Sequence, residues 1–201
     1  MSSETDGSSE EEQHDWHSLE YIEKWVAKDL AREGERRPIL QRMLSYAPFS
    51  PDMAVRVLDL GGGYGAVTNA VLRKFPRAQV TLQDYSREML DLAREYLSSR
   101  FLSVKFVQCD FLDRSWVQAV AGPYDLVVSA IALHNLFDMA KISGCYHGIH
   151  GLLGPGGCFL NFDHFSRVEG VAAHLKALKA QGFSAVECLW QNEKSAIIKA
   201  V

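Results

Sequence analysis

Four glycines in five positions are the residues of this chain with the clearest chemical meaning. Gly61, Gly62, Gly63 and Gly65 follow the apolar run VRVLDL, which is typical of a buried strand, and precede a segment with helical spacing. Glycine tolerates positive φ and lets a ligand approach the backbone. A helix that begins after such a turn presents free N–H groups and the positive end of its dipole. The loop therefore predicts a site for an anionic or carboxylate-bearing ligand.

Two further acids stand where later apolar segments end. Asp84 closes QVTLQD, and an acid at the end of the second strand can accept hydrogen bonds from both hydroxyls of a ribose. Asp110 precedes the aromatic Phe111, so that an acceptor for an exocyclic amine adjoins a flat apolar surface suited to adenine. Each acid could instead cap the helix that follows it. Taken with the glycines, the two acids indicate an adenosine.

The identity of the adenosine ligand depends on Asp59, two residues before Gly61. The run GGGYGA also fits the G-x-G-x-x-A pattern of nicotinamide dinucleotide sites. A carboxylate so close to a pyrophosphate would repel it, whereas it could receive an ammonium group directly or through water. The acid therefore favours S-adenosylmethionine, a nucleoside that bears an amino acid.

Alternating strand and helix patterns position these residues. Strand patterns cover residues 79–85, 103–111 and 124–133, and a helix follows each of them. The third of these helices runs from about Phe137 to Leu153 and leads through a GPGG turn into the strand CFLNFDHF. SAVECLW and SAIIKAV form a closing pair. The pattern predicts an α/β fold with a Rossmann-like, doubly wound sheet of seven mostly parallel strands, an antiparallel edge pair and N-terminal cap helices.

The N-terminal quarter of the chain divides into two regions before the glycine loop. Residues 1–14 carry serines, glycine and acids without large apolar side chains, which predicts a disordered acidic tail. Residues 15–50 show two helical periodicities, the second beginning at about Pro38, and form the predicted cap. Residues 51–201 form the predicted ligand-binding domain.

Composition narrows the class of partner. The chain has 201 residues, 47% hydrophobic content and a net charge of −4. Its basic residues form only short pairs such as Arg36-Arg37, interpreted as solvated surface, so nucleic acid is not expected as a partner. The apolar segments are too short to span a membrane. The four scattered cysteines favour neither a disulfide framework nor a zinc site, which predicts a cytoplasmic protein without a bound metal.

Several of these segments together resemble class I S-adenosylmethionine-dependent methyltransferases, in the small-molecule branch of the ubiquinone- and menaquinone-biosynthesis type. VLDLGGGYG resembles motif I, QDYSREML resembles the segment that holds the ribose, and VQCDF resembles the segment that contacts the adenine. DLVVSAIALHNL followed by GLLGPGGCFLNFDHF resembles the middle strand, helix, Pro-Gly-Gly turn and fifth strand of that branch. The resemblance spans residues 55–201, and WHSLEYIEKW resembles a helix that closes over the cofactor.

The resemblance implies a role for each matching residue. Asp59 would help to hold the amino group, the glycine backbone would face the methionine part, and Asp84 would bind the ribose. The other implied contacts are with the adenine, the methionine side and the lid. The full set is Asp59, Gly61, Gly62, Gly63, Asp84, Tyr85, Met89, Asp110, Phe111, Ser129, Ala130, Trp16 and Tyr21.

Methyl transfer is an in-line displacement that positioning can accelerate without a base. If the acceptor must lose a proton, His134 is the candidate base, just past the fourth strand, and its alternative role is that of a polar residue at a helix start. Asp163 and His164 are the second choices. His147 and His150 share a helix face, but no third metal ligand is evident.

The sequence thus predicts a methyltransferase for a small-molecule acceptor, acting as a monomer or homodimer. The chain lacks an Asn/Asp-Pro-Pro-aromatic run after the fourth strand, which weighs against methylation of nucleic-acid bases. It also lacks the insertion after the fifth strand that walls the acceptor pocket in many relatives. That departure motivates an alternative, a catalytically silent protein that binds the same cofactor and supports a partner.

Overall fold

A computed structural model describes residues 15–201 as an α/β domain built on one mixed sheet. The seven strands are β1 Arg56–Leu60, β2 Gln79–Asp84, β3 Val104–Gln108, β4 Tyr124–Ala130, β5 Leu153–Asp163, β6 Val186–Gln191 and β7 Ala196–Ala200. Their order is β3-β2-β1-β4-β5-β7-β6. Strands β1 to β5 pair in parallel, and β7 is antiparallel to both of its neighbours. The predicted doubly wound sheet with an antiparallel edge pair is confirmed.

Helices flank the sheet on both sides. They are α1 Leu19–Ala31, α2 Glu33–Ser45, α3 Ala66–Lys74, α4 Arg87–Tyr96, α5 Trp116–Val120, α6 Met139–Leu152 and α7 Gly170–Ala180. Short 3-10 turns cover Ser98–Ser103, Leu133–Leu136 and Phe165–Arg167. The predicted acidic tail, residues 1–14, lies outside the described residues.

Side-chain caps fix where several helices begin. Ser86 caps α4, as its position after β2 predicts, because its hydroxyl accepts a hydrogen bond from the Met89 N–H. Asp138 caps α6 by accepting from the N–H groups of Ala140 and Lys141. The cap starts α6 at Met139, two residues later than the predicted Phe137, whose φ is +49°. These caps fix the positions at which the chain leaves the sheet edge for each helix.

The alternation of strand side chains divides the core into two layers. Leu160 and Phe162 of β5 face the layer that packs against α2, α3 and α4. Phe159 of β5 faces the other layer, in which Tyr146 and Ile149 of α6 are buried. The order of strands reverses between β1 and β4, and ligands in doubly wound sheets bind beside such a switch point at the carboxyl ends of the strands.

Two other predicted boundaries also differ from the structure. Helix α2 begins at Glu33 rather than near Pro38, which lies inside the helix. The residues before Pro38 are polar, so they carry no apolar periodicity that could reveal the first turn. The predicted GPGG turn is part of β5, where the pairing with β4 shifts between Tyr124 and Leu126. A bulge thus absorbs the glycines that sequence reasoning assigned to a separate turn.

Candidate functional site

A cavity of about 470 Å³ lies at the carboxyl ends of the parallel strands, beneath the N-terminal helices. Its volume falls within the range of small-molecule sites. Glycines 61–63, Asp84, Asp110, Ala130 and Phe162 bring the ends of β1 to β5 to this one cavity. The cap contributes Trp16 and Trp25, among other residues. The predicted glycine loop and two of the predicted acids therefore share one wall.

The glycine loop is fastened to β2 through its own N–H groups. The Gly61 N–H donates to Gln83 Oε1 at 3.0 Å, the Gly62 N–H to the Gln83 carbonyl at 2.9 Å, and the Gly63 N–H to Asp84 Oδ2 at 2.9 Å. Gly61 and Gly63 have positive φ, and a Cβ on Gly61 would lie 2.7 Å from Ala132 Cβ. The sequence predicted free N–H groups facing the ligand. The three consecutive glycines instead use theirs to hold the loop.

Asp84 lines the cavity together with Tyr85 and Met89. Its Oδ2 accepts from the Gly63 N–H, and its Oδ1 accepts from the Ser86 N–H at 2.9 Å. Burial raises the pKa of the carboxyl, while these backbone donors oppose the rise. A carboxylate oxygen has two acceptor positions, so each oxygen can still accept a hydrogen bond from a ligand.

Asp110 and Phe111 line the cavity beyond β3, with Leu112 beside them. Asp110 is exposed, and its Oδ1 accepts from the Leu112 N–H at 2.8 Å. Phe111 presents a ring next to that carboxylate, and the ring approaches the glycine loop, since a Cβ on Gly61 would lie 3.8 Å from it. An acceptor beside an apolar ring is the arrangement expected for an adenine.

Two predicted site residues lie behind the cavity wall. Asp59 is fully buried, its Oδ2 accepts from the Thr68 hydroxyl at 2.6 Å, and its Oδ1 has no partner among the described residues. Burial raises the pKa of Asp59 to about 7. Gly62 covers it, because a Cβ there would lie 3.0 Å from Asp59 Cγ. Ser129 is also buried and donates to the Leu60 carbonyl at 3.0 Å.

His134, the candidate base, is only 3% exposed and is not among the residues that line the cavity. Its Nδ1 lies 2.5 Å from Asp163 Oδ1, and its backbone N–H donates to Asp163 Oδ2 at 3.1 Å. His164, the other second choice, packs its ring 5.3 Å from that of His134. The His134–Asp163 pair anchors the 3-10 turn Leu133–Leu136. Asn135 of this turn lines the cavity, as does Phe137 directly after it.

The cap forms more of the wall than sequence reasoning predicted. Trp16 lines the cavity, whereas Tyr21 stands behind it with its ring centroid 5.5 Å from that of Trp16. Asp29 of α1 and Arg36 of α2 also line it, although Arg36 was interpreted as solvated surface. Charged residues at helix ends look like surface residues, and only the docking of both helices on the sheet turns these two inward.

The described residues give no sign of a metal centre or a membrane span. No group of three or more potential metal ligands occurs within residues 15–201. His150 packs its ring 5.0 Å from that of Phe183. No helix in the described part of the chain is long and apolar enough to cross a membrane.

Residues 57–157, half of the chain, match a family model described as a methyltransferase domain. This chain belongs to the methyltransferase domain family. The methyltransferase domain is 29% identical to the demethylmenaquinone methyltransferase of Thermus thermophilus over 133 residues, which are 61% of this chain and 58% of that protein. The predicted family is confirmed.

Two solved structures resemble most of this chain. An O-methyltransferase family protein from Burkholderia thailandensis superposes with a TM-score of 0.75 at 18% identity, over 92% of this chain and 60% of that one. Human N-acetylserotonin methyltransferase, solved in complex with S-adenosylmethionine, superposes with a TM-score of 0.71 at 17% identity. The superposition covers 92% of this chain and 56% of that one. These likenesses confirm the fold. This chain covers less than two thirds of the length of each of these three relatives.

Proposed function

We propose that the chain is an S-adenosylmethionine-dependent methyltransferase that acts on a small, largely apolar acceptor. The observation that carries the proposal is the single cavity in which the glycine loop, Asp84 and an apolar wall meet. Membership of a methyltransferase family supports this class over a nicotinamide-dependent reductase. It also favours the enzyme over a catalytically silent binding protein.

The donors and acceptors along one side of the cavity suit the adenosine part of the cofactor. Asp84 would accept hydrogen bonds from the ribose hydroxyls, and Asp110 would accept one from the adenine amine. Met89 and Phe111 supply apolar surface for the base. A Cβ on Gly63 would meet no atom closer than Met89 Sδ at 3.9 Å, so the backbone there is open to close approach by a ligand.

The acceptor would lie against the segment that follows β4 and the end of β5. Ile131, Leu136, Phe137 and Phe162 line this part of the cavity with apolar surface, and Asn135 adds one amide. This lining favours an uncharged acceptor with an apolar body. A net charge of −4 supports the small molecule over nucleic acid.

The residues of the chain would act mainly by positioning and by excluding water. When bound, S-adenosylmethionine supplies a methyl group on a sulfonium, which is displaced in line. The apolar wall and the cap would keep water from the reacting atoms. The Asn135 amide cannot act as a base and remove a proton from the acceptor. The acceptor atom would therefore need a lone pair that is available for attack without prior loss of a proton. His134, held by Asp163, would act through the turn that it anchors rather than by contact.

Calorimetric titration with S-adenosylmethionine, S-adenosylhomocysteine and NADH tests the cofactor assignment. We expect micromolar binding of the two sulfur nucleosides and none of NADH. Panels of neutral amines and phenols, with carboxylates as the charged comparison, then test turnover, measured as formation of S-adenosylhomocysteine. Binding without turnover on any panel would favour the silent protein, and binding of NADH alone would refute the proposal. The cytoplasmic location, the absence of nucleic-acid and membrane partners, and the monomeric or homodimeric state remain predictions.

A further inference from the structure

A polar cluster closes the cap side of the cavity, away from the acids at the ends of β2 and β3. It consists of Asp29 from α1, Arg36 from α2 and Tyr64, which directly follows the three consecutive glycines. All three side chains line the cavity. Arg36 is the one cationic side chain among the described residues that do so. The cavity thus carries a paired positive and negative charge at one place.

The three side chains hold one another in position. The Tyr64 hydroxyl donates to Asp29 Oδ2 at 2.6 Å, and Arg36 Nη1 contacts the same carboxylate. Arg36 Nη1 also donates to the Asp29 carbonyl at 3.3 Å, and the guanidinium carbon lies 5.7 Å from the centroid of the Tyr64 ring. The side chains of Arg36 and Asp29 are only 17% and 24% exposed. This degree of burial strengthens electrostatic contacts with a ligand.

Each charged partner still has bonding capacity. The contacts within the cluster use Arg36 Nη1 and Asp29 Oδ2, whereas a guanidinium carries five N–H donors and a carboxylate has a second oxygen. Burial raises the pKa of Tyr64 to about 12, so the hydroxyl keeps its proton and remains a donor. The cluster can therefore accept from an ammonium group and donate to a carboxylate at the same time.

The N–H groups of the three consecutive glycines and the Asp59 carboxylate are not available to a ligand in this cavity. The N–H groups of Gly61, Gly62 and Gly63 are already donated to Gln83 and Asp84, so they are not available to a carboxylate. Asp59, predicted to hold the amino group, lies behind Gly62 and is fully buried. A carboxylate in the cavity therefore needs donors other than these glycine N–H groups, and an ammonium group needs an acidic partner other than Asp59.

We propose that Asp29, Arg36 and Tyr64 form the subsite for the amino-acid end of the cofactor. The α-ammonium binds Asp29, and the α-carboxylate accepts from the Arg36 guanidinium, while Tyr64 fixes the Asp29 carboxylate. This inference rests on the proposed S-adenosylmethionine-dependent function. It assigns recognition of the amino-acid end to the cap helices, so that the cofactor itself joins the cap to the sheet.

Calorimetry with a pair of ligands isolates the subsite. S-adenosylhomocysteine carries the amino-acid end, and 5′-methylthioadenosine has the same adenosine and thioether without it. We expect Arg36→Met to weaken the affinity for S-adenosylhomocysteine about 10- to 100-fold. The affinity for 5′-methylthioadenosine should change less than about twofold. Arg37→Met is the matched control, because Arg37 is exposed and does not line the cavity. It should leave both affinities unchanged.

A second variant tests the other half of the zwitterion. Asp29→Asn should weaken the affinity for S-adenosylhomocysteine. It should leave unchanged the affinity for deaminated S-adenosylhomocysteine, which keeps the carboxylate and lacks only the α-amino group. Thermal unfolding checks that each variant is folded, and Arg36→Lys replaces Arg36→Met if that variant fails this check, with an intermediate loss expected. Equal losses for both ligands, or none, would overturn the subsite alone. Failure of the unaltered chain to bind either nucleoside would overturn the proposed function as well.

Discussion

Single acids at strand ends have different fates in this fold. Asp59 lies one residue before the end of β1 and Asp84 ends the neighbouring β2, yet the first is buried under the glycine loop and the second lines the cavity. The difference arises because Asp59 points toward α3, where Thr68 binds it, whereas Asp84 supports the loop from its open side. A carboxylate near a glycine loop can thus be a structural group or a ligand contact.

Removal of the Asp84 carboxylate should weaken cofactor binding. Asp84→Ala deletes two charge-assisted acceptors for the ribose and also the acceptor of the Gly63 N–H. We expect a loss of about 1.5 to 3 kcal/mol in the binding free energy of S-adenosylhomocysteine, measured by calorimetry. Thermal unfolding of the same variant checks that the domain remains folded. An unchanged affinity would show that the ribose lies elsewhere.

Asp59 should make stability depend on pH. Its pKa is about 7 in the folded chain against an ordinary value of 3.8, so the folded state holds the proton more tightly than the unfolded state. The associated stability is full below pH 4 and is lost as the pH rises to about 7. Asp59→Asn replaces the carboxyl with an amide that does not titrate, so the variant should not lose stability in this way as the pH rises.

Denaturant titrations at pH 5 and pH 8 measure the effect of Asp59→Asn. Relative to the unaltered chain, we expect the variant to gain about 2 to 3 kcal/mol in unfolding free energy between the two pH values. The reference is the change in unfolding free energy of the unaltered chain over the same interval. Parallel pH dependences in the two proteins would mean that Asp59 is ionised in the fold throughout.

At the scale of elements, two glycines with opposite surroundings test what the loop and the helices require. Gly65 has a φ of +93°, and a Cβ there would lie 2.7 Å from Leu97 Cδ1. Gly144 lies inside α6 with nothing within 4 Å of its added Cβ. Gly65→Ala should therefore destabilise the domain by about 2 to 4 kcal/mol. Gly144→Ala should stabilise it by about 0.5 to 1 kcal/mol.

Chemical denaturation of both alanine variants measures the two changes under one condition. Gly144→Ala acts as the internal control, because it adds the same methyl group to an exposed helix position. If both variants lost stability equally, the turn after β1 would not depend on left-handed geometry.

Elements were predictable where their signals are local. The apolar runs, the glycines after β1 and Ser86 before α4 all lie within a few residues of what they determine. The seven strands, their mostly parallel pairing and the sheet end that holds the site were therefore predictable from the sequence. The cap was predicted only as two helices. Which of its faces meets the cavity depends on contacts between segments far apart in the chain, so Asp29 and Arg36 were missed.

At the scale of the whole molecule, ligand binding and unfolding are linked. A ligand that binds only the folded state adds about 2.7 kcal/mol of stability at 100 times its dissociation constant. For a domain of this size we expect S-adenosylhomocysteine at that concentration to raise Tm by about 5 to 10 °C. NADH at the same concentration should leave Tm unchanged. A rise in Tm with NADH alone would favour the alternative of a nicotinamide-dependent reductase.

The tryptophans of this chain divide by location, and the division makes the molecule its own optical probe. Trp16 and Trp25 lie in the cavity wall, with ring centroids 5.2 Å apart, whereas Trp116 and Trp190 do not line the cavity. A ligand that enters changes the polarity around the first two indoles and leaves the emission of the other two as a constant background. Libraries of acceptors can therefore be ranked by fluorescence before any product is known.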